Sequence, residues 1–384
     1  MTPSARAQAA IEILDQVIAA ARDDGSPADA LVSAYFKTRR YAGSKDRRAV
    51  RELVFRAIRH SAEVPASGRA ALLPLVPELF DGEGHGPTAP TPDEPRAEAG
   101  IVPGWIAPLL SPLVGEGEWP ALTERAPLDL RANIARTARD EMAAHFGAEP
   151  APLSPWGLRL PSDAAASADE AFADGLVEVQ DEGSQLIALA CAPVDGQTIV
   201  DLCAGAGGKA LALAAAATEA RIIACDTNLA RLRNLAPRAE RAGATIETRL
   251  LDMPREAEGL ADLEGQAECV LVDAPCSGSG TWRRNPEGRW RLTPERLDRL
   301  EELQRRVLDL AAPLVKPGGT LVYAVCSLLA REGADQAAAF LSRHSGFVPK
   351  DIGMDVGRLE GVGRLLTPGH DRTDGFFIAR FQAR

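Results

Sequence analysis

The sequence predicts an α/β protein: a doubly wound, mostly parallel sheet in its second half, preceded by a small α/β module and an N-terminal helical domain. Three observations carry this. Beyond residue 175, short apolar β-rich runs alternate with helical stretches, the pattern of a parallel sheet covered on both faces. The first of these runs ends in a glycine-rich turn and the next two end in carboxylates. Residues 6–80 instead repeat apolar side chains at helical spacing.

Taken in order, Ile11, Ile13, Leu14, Val17 and Ile18 form one apolar helix face, and Leu53, Val54, Ala57 and Ile58 another. Residues 1–80 are therefore expected to form a helical domain. Between those faces, the window from Lys37 to Arg59 holds nine cations against two acids. That is either a solvated helix face or a phosphate-contacting patch. Residues 81–100 are rich in Gly, Pro and acid and read as a linker. A small module is expected over 101–174, with strands at 127–134 and 156–161 and a helix at 137–147. The large domain, 175–384, has strand runs at 198–204, 221–226, 246–252, 268–275 and 319–327. The helix before the last of these is well marked, with Thr293 as cap, Pro294 at its first position, and Leu297, Leu300, Leu303 and Val307 along one face. A final core strand is expected at 375–381.

Composition bounds the function. A net charge of −11 excludes a general nucleic-acid coat protein, so any RNA-binding surface is local. No apolar run is long enough to cross a bilayer, and the first residues lack a secretory signal. Six cysteines are too few for a disulfide scaffold, which points to a reducing cytoplasm. All six lie between Cys191 and Cys326. No CxxC pair exists and the histidines are scattered, so no metal site is expected.

Ligands of open α/β sheets bind beyond the carboxyl ends of the strands. After the first run comes DLCAGAGGKA (201–210), whose Gly205, Gly207 and Gly208 allow a tight turn and close ligand approach. The second run ends in Asp226, placed to accept from ribose hydroxyls, and the third in Asp252, placed for an adenine amino group. Together they indicate an adenosine-bearing cofactor, and NAD and S-adenosylmethionine fit equally. The fourth run leads into DAPCSGSGTWRRNPEGRW (273–290) and the fifth ends in YAVCS (323–327), bringing Cys276 and Cys326 to neighbouring strand ends. Two thiols suit methylation of a pyrimidine carbon. C5 of cytosine becomes nucleophilic only when a thiolate has added to C6, an acidic group easing the addition, with the base extruded from its stack. Spacing does not rank the two thiols. Cys191, Cys203, Cys225 and Cys269 read as small core residues. Arg283, Arg284, Arg289 and Arg291, interleaved with Trp282 and Trp290, read first as a phosphate-pairing and base-stacking surface, the alternative being a helix-leading loop packed by tryptophan.

The motifs DLCAGAGGK, DAPCSGSGTWRRNP and YAVCSL resemble those of the Sun (Fmu-like) family of RNA cytosine-5 methyltransferases, and VQDEGSQ (179–185) and PLDLRAN resemble its preceding segments. The resemblance covers about 100–384; the first 80 residues resemble a shortened NusB-like RNA-binding domain, which points to the bacterial 16S ribosomal RNA branch. It implies a Rossmann-like methyltransferase domain with a mostly parallel seven-stranded sheet. It assigns Cys326 as nucleophile, Cys276 as the residue aiding product release, and Asp273 as the contact to the cytosine ring. S-adenosylmethionine would be held by Cys203, Ala204, Gly205, Ala206, Gly207, Gly208, Lys209, Asp226, Arg231, Asp252 and Asp273, with Lys209 near the cytosine or its phosphate. The sequence departs from the family at Ala206 (usually proline), Ala210 (threonine) and Val325 (threonine). The expectation is a cytoplasmic, monomeric RNA methyltransferase with 16S rRNA as substrate, without metal or membrane partner. The rivals are a transfer RNA methyltransferase, a small-molecule methyltransferase and a non-catalytic ribosome-assembly factor.

Overall fold

The computed structural model describes residues 1–23 and 25–384. By internal contacts the chain divides into a helical unit (1–110, 115–124 and 281–294) and a sheet unit (111–114, 125–280 and 295–384). This division does not run at residues 80, 100 or 174.

The helical unit contains α1 (Pro3–Arg22), α2 (Ala28–Lys37), α3 (Ser44–His60) and α4 (Gly68–Leu72). Thr2 caps α1 by accepting from the Ala5 N–H at 3.1 Å, and Pro3 occupies the first turn, where no amide partner is needed. Ala7, Ala10, Leu14, Val17 and Ala21 of α1 are buried, as are Val50, Val54, Ala57 and Ile58 of α3, so the helical periodicity is met by two packed faces. Gly68 lets α4 approach α1 backbone to backbone; a Cβ there would lie 2.3 Å from the Ile11 carbonyl oxygen. Residues 81–100 have no regular structure, but they are tied down by Ala97 N–H to the Ala70 carbonyl and by an Arg69–Glu94 ion pair. In the basic window, Lys37, Arg40, Lys45, Arg47, Arg48, Arg51 and Arg56 are exposed. Arg39 stacks 3.7 Å above the Tyr35 ring.

The interleaved Arg/Trp segment corrects the sequence reading. Trp282, Arg283, Arg289 and Trp290 are all buried, and Trp290 belongs to the same apolar core as α1 and α3. The Arg289 guanidinium donates to the carbonyls of Ile58, Gly100, Ile101 and Pro286. Arg291 donates to those of Gly25 and Ser26. The Trp290 indole N–H donates to the Ser61 carbonyl at 3.1 Å. Arg289 and the two tryptophans therefore have no face available for bases or phosphates. The physical reason is that a fork of five donors satisfies clustered carbonyls as well as it pairs with phosphate.

The sheet unit opens with a small antiparallel sheet of β1 (Leu128–Ala132), β2 (Glu149–Pro150), β3 (Gly157–Leu160) and β4 (Val177–Val179), in the order β2-β3-β1-β4. The large sheet comprises β5 (Thr198–Asp201), β6 (Arg221–Asp226), β7 (Glu247–Leu250), β8 (Ala267–Asp273), β9 (Val315–Val325), β10 (Phe347–Lys350), β11 (Arg358–Glu360), β12 (Gly363–Leu366) and β13 (Phe376–Ala383). Its order is β11-β12-β13-β9-β8-β5-β6-β7, with β10 pairing β13. The run from β7 through β9 is parallel, while β13 and its neighbours are antiparallel. The sheet thus has nine strands where seven were expected. The short β11–β12 hairpin is too brief and too exposed at Leu359 to show as an apolar run. Lys316-Pro-Gly-Gly lies within β9, where the pairing with β8 is irregular.

Candidate active site

The turn after β5 is built by two glycines. Gly205 and Gly207 have φ of +57° and +81°, values that cost any residue with a Cβ. At Gly207 a Cβ would also meet Leu235 at 2.1 Å. Ala204 N–H donates to the Cys225 carbonyl on β6, and Gly207 N–H to that of Ala204, so the turn is anchored while Ala204, Gly205, Ala206 and Gly208 remain half-exposed. Arg238 adds a brace that the sequence did not announce. It donates to the Ala206 carbonyl at 2.6 Å and pairs with Glu178 of β4 at 3.0 Å, at the position where the family's usual proline is missing.

Asp226, buried at the end of β6, accepts from the Gly205 N–H at 2.8 Å and the Asn228 N–H at 2.7 Å. Its carboxylate therefore orients the glycine turn and keeps lone pairs to spare. Asp252 and Arg231 are exposed; Asp252 pairs with Arg255 at 2.5 Å. The structure brings Asp226 to the turn but leaves these two in solvent. Cys203 is half-buried, its thiol pushed well up by burial and by the charges of Asp201, Asp273 and Asp226. Cys191, Cys225 and Cys269 lie in the core, as their type suggested.

Asp201 is the least satisfied group of the site. It is buried, and neither carboxylate oxygen accepts a hydrogen bond of ordinary geometry from the described residues. Burial, then repulsion from Asp273 and Asp226 working against the attraction of Lys209, raises its pKa to about 7. Because the folded value lies above the unfolded one, Asp201 contributes stability below pH about 4 that is lost as pH rises through about 7. Asp201→Asn is therefore expected to gain on the cofactor-free wild type by roughly 2–3 kcal/mol between pH 5 and pH 8. Denaturant midpoints at the two pH values measure it, and an equal difference at both would contradict the assignment.

Lys209, just after the turn, donates from Nζ to Asp273 Oδ2 at 2.5 Å. Burial works to lower its pKa, but the charges of Asp273 and Asp201 outweigh it and hold the ammonium form. Beyond Asp273 the chain turns to Cys276, and the adjacent β9 ends at Cys326. The two sulfurs are 3.3 Å apart and both residues are half-buried. The Cys276 thiol is raised well above its ordinary value by its hydrogen bond to Cys326, by burial and by the nearby Glu332 charge. Ala274 N–H to the Ala324 carbonyl and Gly280 N–H to the Cys326 carbonyl stitch the two strand ends together. Cys326 is therefore not sealed in the core. It sits at a sheet end beside a second thiol, near enough to Lys209, the partner of Asp273, to act on its charge. No group of three or more possible metal ligands occurs among the described residues.

The family described as 16S rRNA methyltransferase RsmB/F matches residues 188–382, which include every strand end just described. The chain belongs to this family. Ribosomal RNA small subunit methyltransferase B of Salmonella typhi is 35% identical over 286 residues, 72% of this chain and 65% of that protein. The protein of the same name in Salmonella newport is 35% identical over 288 residues. The chain thus spans 65% of the length of these curated relatives. Among solved structures, PH0851 superposes with a TM-score of 0.79 at 22% identity, covering 99% of each chain. NSun6 from Pyrococcus horikoshii, solved with SFG, gives 0.65 at 19% identity over 73% of this chain and 96% of that one. The shared fold is the Rossmann-like methyltransferase fold.

The cofactor of this RsmB/F family is S-adenosylmethionine, and the residues here fit it. Asp201, a buried carboxylate whose oxygens have no hydrogen-bond partner of ordinary geometry among the described residues, suits a cationic ligand. At Gly205 of the positive-φ turn beside it, a Cβ would project into open space. No helix among the described residues is long and apolar enough to cross a membrane.

Proposed function

We propose that this RsmB/F-family protein methylates C5 of a cytosine in RNA, with 16S ribosomal RNA as its substrate in the cytoplasm. The observation that carries this reading is the pair of sulfurs, Cys276 and Cys326, 3.3 Å apart at adjacent strand ends, in a cluster that includes the Lys209–Asp273 ion pair. The exposed cations of the Lys37–Arg59 window support an RNA substrate, and so do the names of the curated relatives.

In this reading S-adenosylmethionine supplies the methyl group, held by the 203–209 turn, Asp226, Arg231, Asp252 and Asp273. The Cys326 thiolate adds to C6, forming a carbon–sulfur bond and turning C5 into the nucleophilic end of an enamine. Lys209 is the donor for charge developing on the ring, and Asp273 the acceptor for its exocyclic amine. Once C5 is substituted, its proton must leave and the carbon–sulfur bond must break. The Cys276 sulfur lies 3.3 Å from that of Cys326, and its raised pKa keeps its proton on the thiol. Delivering it to the departing sulfur releases Cys326 as a thiol, and the Cys276 thiolate left behind takes the C5 proton. Cys276 is thereby regenerated, while in net terms the C5 proton ends on the Cys326 thiol, which must lose it to solvent before that sulfur can add again.

Unmodified 16S rRNA and transfer RNA, incubated separately with protein and labelled methyl donor, should give label and bisulfite-resistant cytosine in the ribosomal RNA. Label confined to transfer RNA would reassign the substrate, and label in neither would remove the enzymatic reading.

A further inference from the structure

Each of the two cysteines is followed by a serine, in Cys276-Ser277 and Cys326-Ser327, and both serines converge on one side chain. Glu332 is completely buried. Its Oε2 accepts from the hydroxyls of Ser277 and Ser327. Its Oε1 accepts from the Ser277 N–H and the Gln304 amide, each at 2.8 Å. Gln304 also donates to the Pro275 carbonyl, and the Tyr323 hydroxyl to the Glu332 carbonyl at 2.6 Å. Ser279 closes the arrangement, accepting from Leu328 N–H at 2.8 Å and lying 3.1 Å from the Ser327 hydroxyl. The turn after β8 and the turn after β9 thus share a single acid, whose two oxygens take four donors.

We propose that Glu332 is a positioning residue for the methyl-transfer reaction: by clamping the two Cys-Ser turns it sets the approach of the Cys276 and Cys326 sulfurs. This rests on the function proposed above. A buried carboxylate is costly unless its lone pairs are filled, and here they are filled by the residues adjoining the two thiols. Its charge also acts on Cys276, helping to keep that thiol protonated. The role requires a carboxylate, not merely a polar filler. Glutamine has one accepting oxygen and one donating NH2 group, so whichever way it sits, two of the four donors lose their acceptor.

The test uses the full chain carrying Glu332→Gln, with Ser327→Ala as the milder variant. Diamide, an azo oxidant, takes two hydrogens from a close thiol pair and leaves a disulfide, so the rate of Cys276–Cys326 cross-linking, mapped by peptide mass spectrometry, reports sulfur approach without RNA or cofactor. In Glu332→Gln, cross-linking and kcat on unmodified 16S rRNA should each fall by at least ~10-fold, while KM for RNA and Kd for S-adenosylhomocysteine change less than ~2-fold. Unchanged cross-linking in a folded variant overturns the proposal whatever kcat does, and so does slowed cross-linking with wild-type kcat. If Glu332→Gln does not fold, Ser327→Ala decides: slower cross-linking with lower kcat upholds the clamp, and wild-type values for either overturn it. Should the wild type methylate neither RNA, the enzymatic reading fails and the catalytic part of this proposal with it, while slowed cross-linking in the variant shows separately that Glu332 sets the thiol geometry.

Discussion

Cys326→Ala is expected to abolish methylation, by at least ~10³-fold, because without the adding sulfur C5 never becomes a nucleophile. The variant should also form no denaturation-resistant protein–RNA adduct. Cys276→Ala should behave differently. It retains the nucleophile but loses the proton donor 3.3 Å from it, so the adduct forms and persists, and slow-migrating protein accumulates on denaturing gels with labelled RNA. Both substitutions remove half-buried side chains at strand ends rather than core atoms, so neither should unfold the sheet. Circular dichroism melts distinguish lost chemistry from lost structure. Adduct in Cys326→Ala and none in Cys276→Ala would exchange the two roles.

Arg289→Ala is expected to destabilise the helical unit by roughly 3–5 kcal/mol, a large share of what holds a domain together. The side chain is only 1% exposed, and its removal strands the carbonyls of Ile58, Gly100, Ile101 and Pro286 without their donor. Burial, with repulsion from Arg59, lowers its pKa to about 10, so it stays charged at neutral pH. Lysine keeps the charge but not the planar fork and should recover only part of the loss. Denaturant unfolding followed by tryptophan fluorescence measures this, since Trp282 and Trp290 lie in the same unit. A phosphate-contacting arginine would behave in the opposite way, with weaker RNA binding at unchanged stability.

That contrast marks where the sequence is legible. The parallel strands could be read because each buries both faces and so needs a continuous apolar run: Ile199-Val200, Ile222-Ile223-Ala224 and Val270-Leu271-Val272 are all buried. The glycine turn was readable for an equally local reason, since positive φ at Gly205 and Gly207 demands glycine. Arg289 was not, because three of the four carbonyls it serves lie 188 to 231 residues away, and a string of arginines and tryptophans looks the same whether it faces phosphate or peptide oxygen. Glu332 was hidden in a segment, AREGADQ, that reads as an ordinary helix start. Only the folded register brings Ser277, 55 residues earlier, onto its carboxylate. Asp252 ends a strand run as Asp226 does, yet it is exposed and pairs with Arg255, whereas Asp226 is buried against the glycine turn.

Because residues 281–294 complete the helical unit, that unit cannot finish folding as it leaves the ribosome. Its first hundred residues emerge with the carbonyls of Ile58, Gly100 and Ile101 bare, and with an unfilled socket where Trp290 will lodge. Closure waits until translation has passed the first four parallel strands. A fragment cut anywhere before residue 281 would inherit the same gap, and would be a poor stand-in for the intact unit in RNA-binding work.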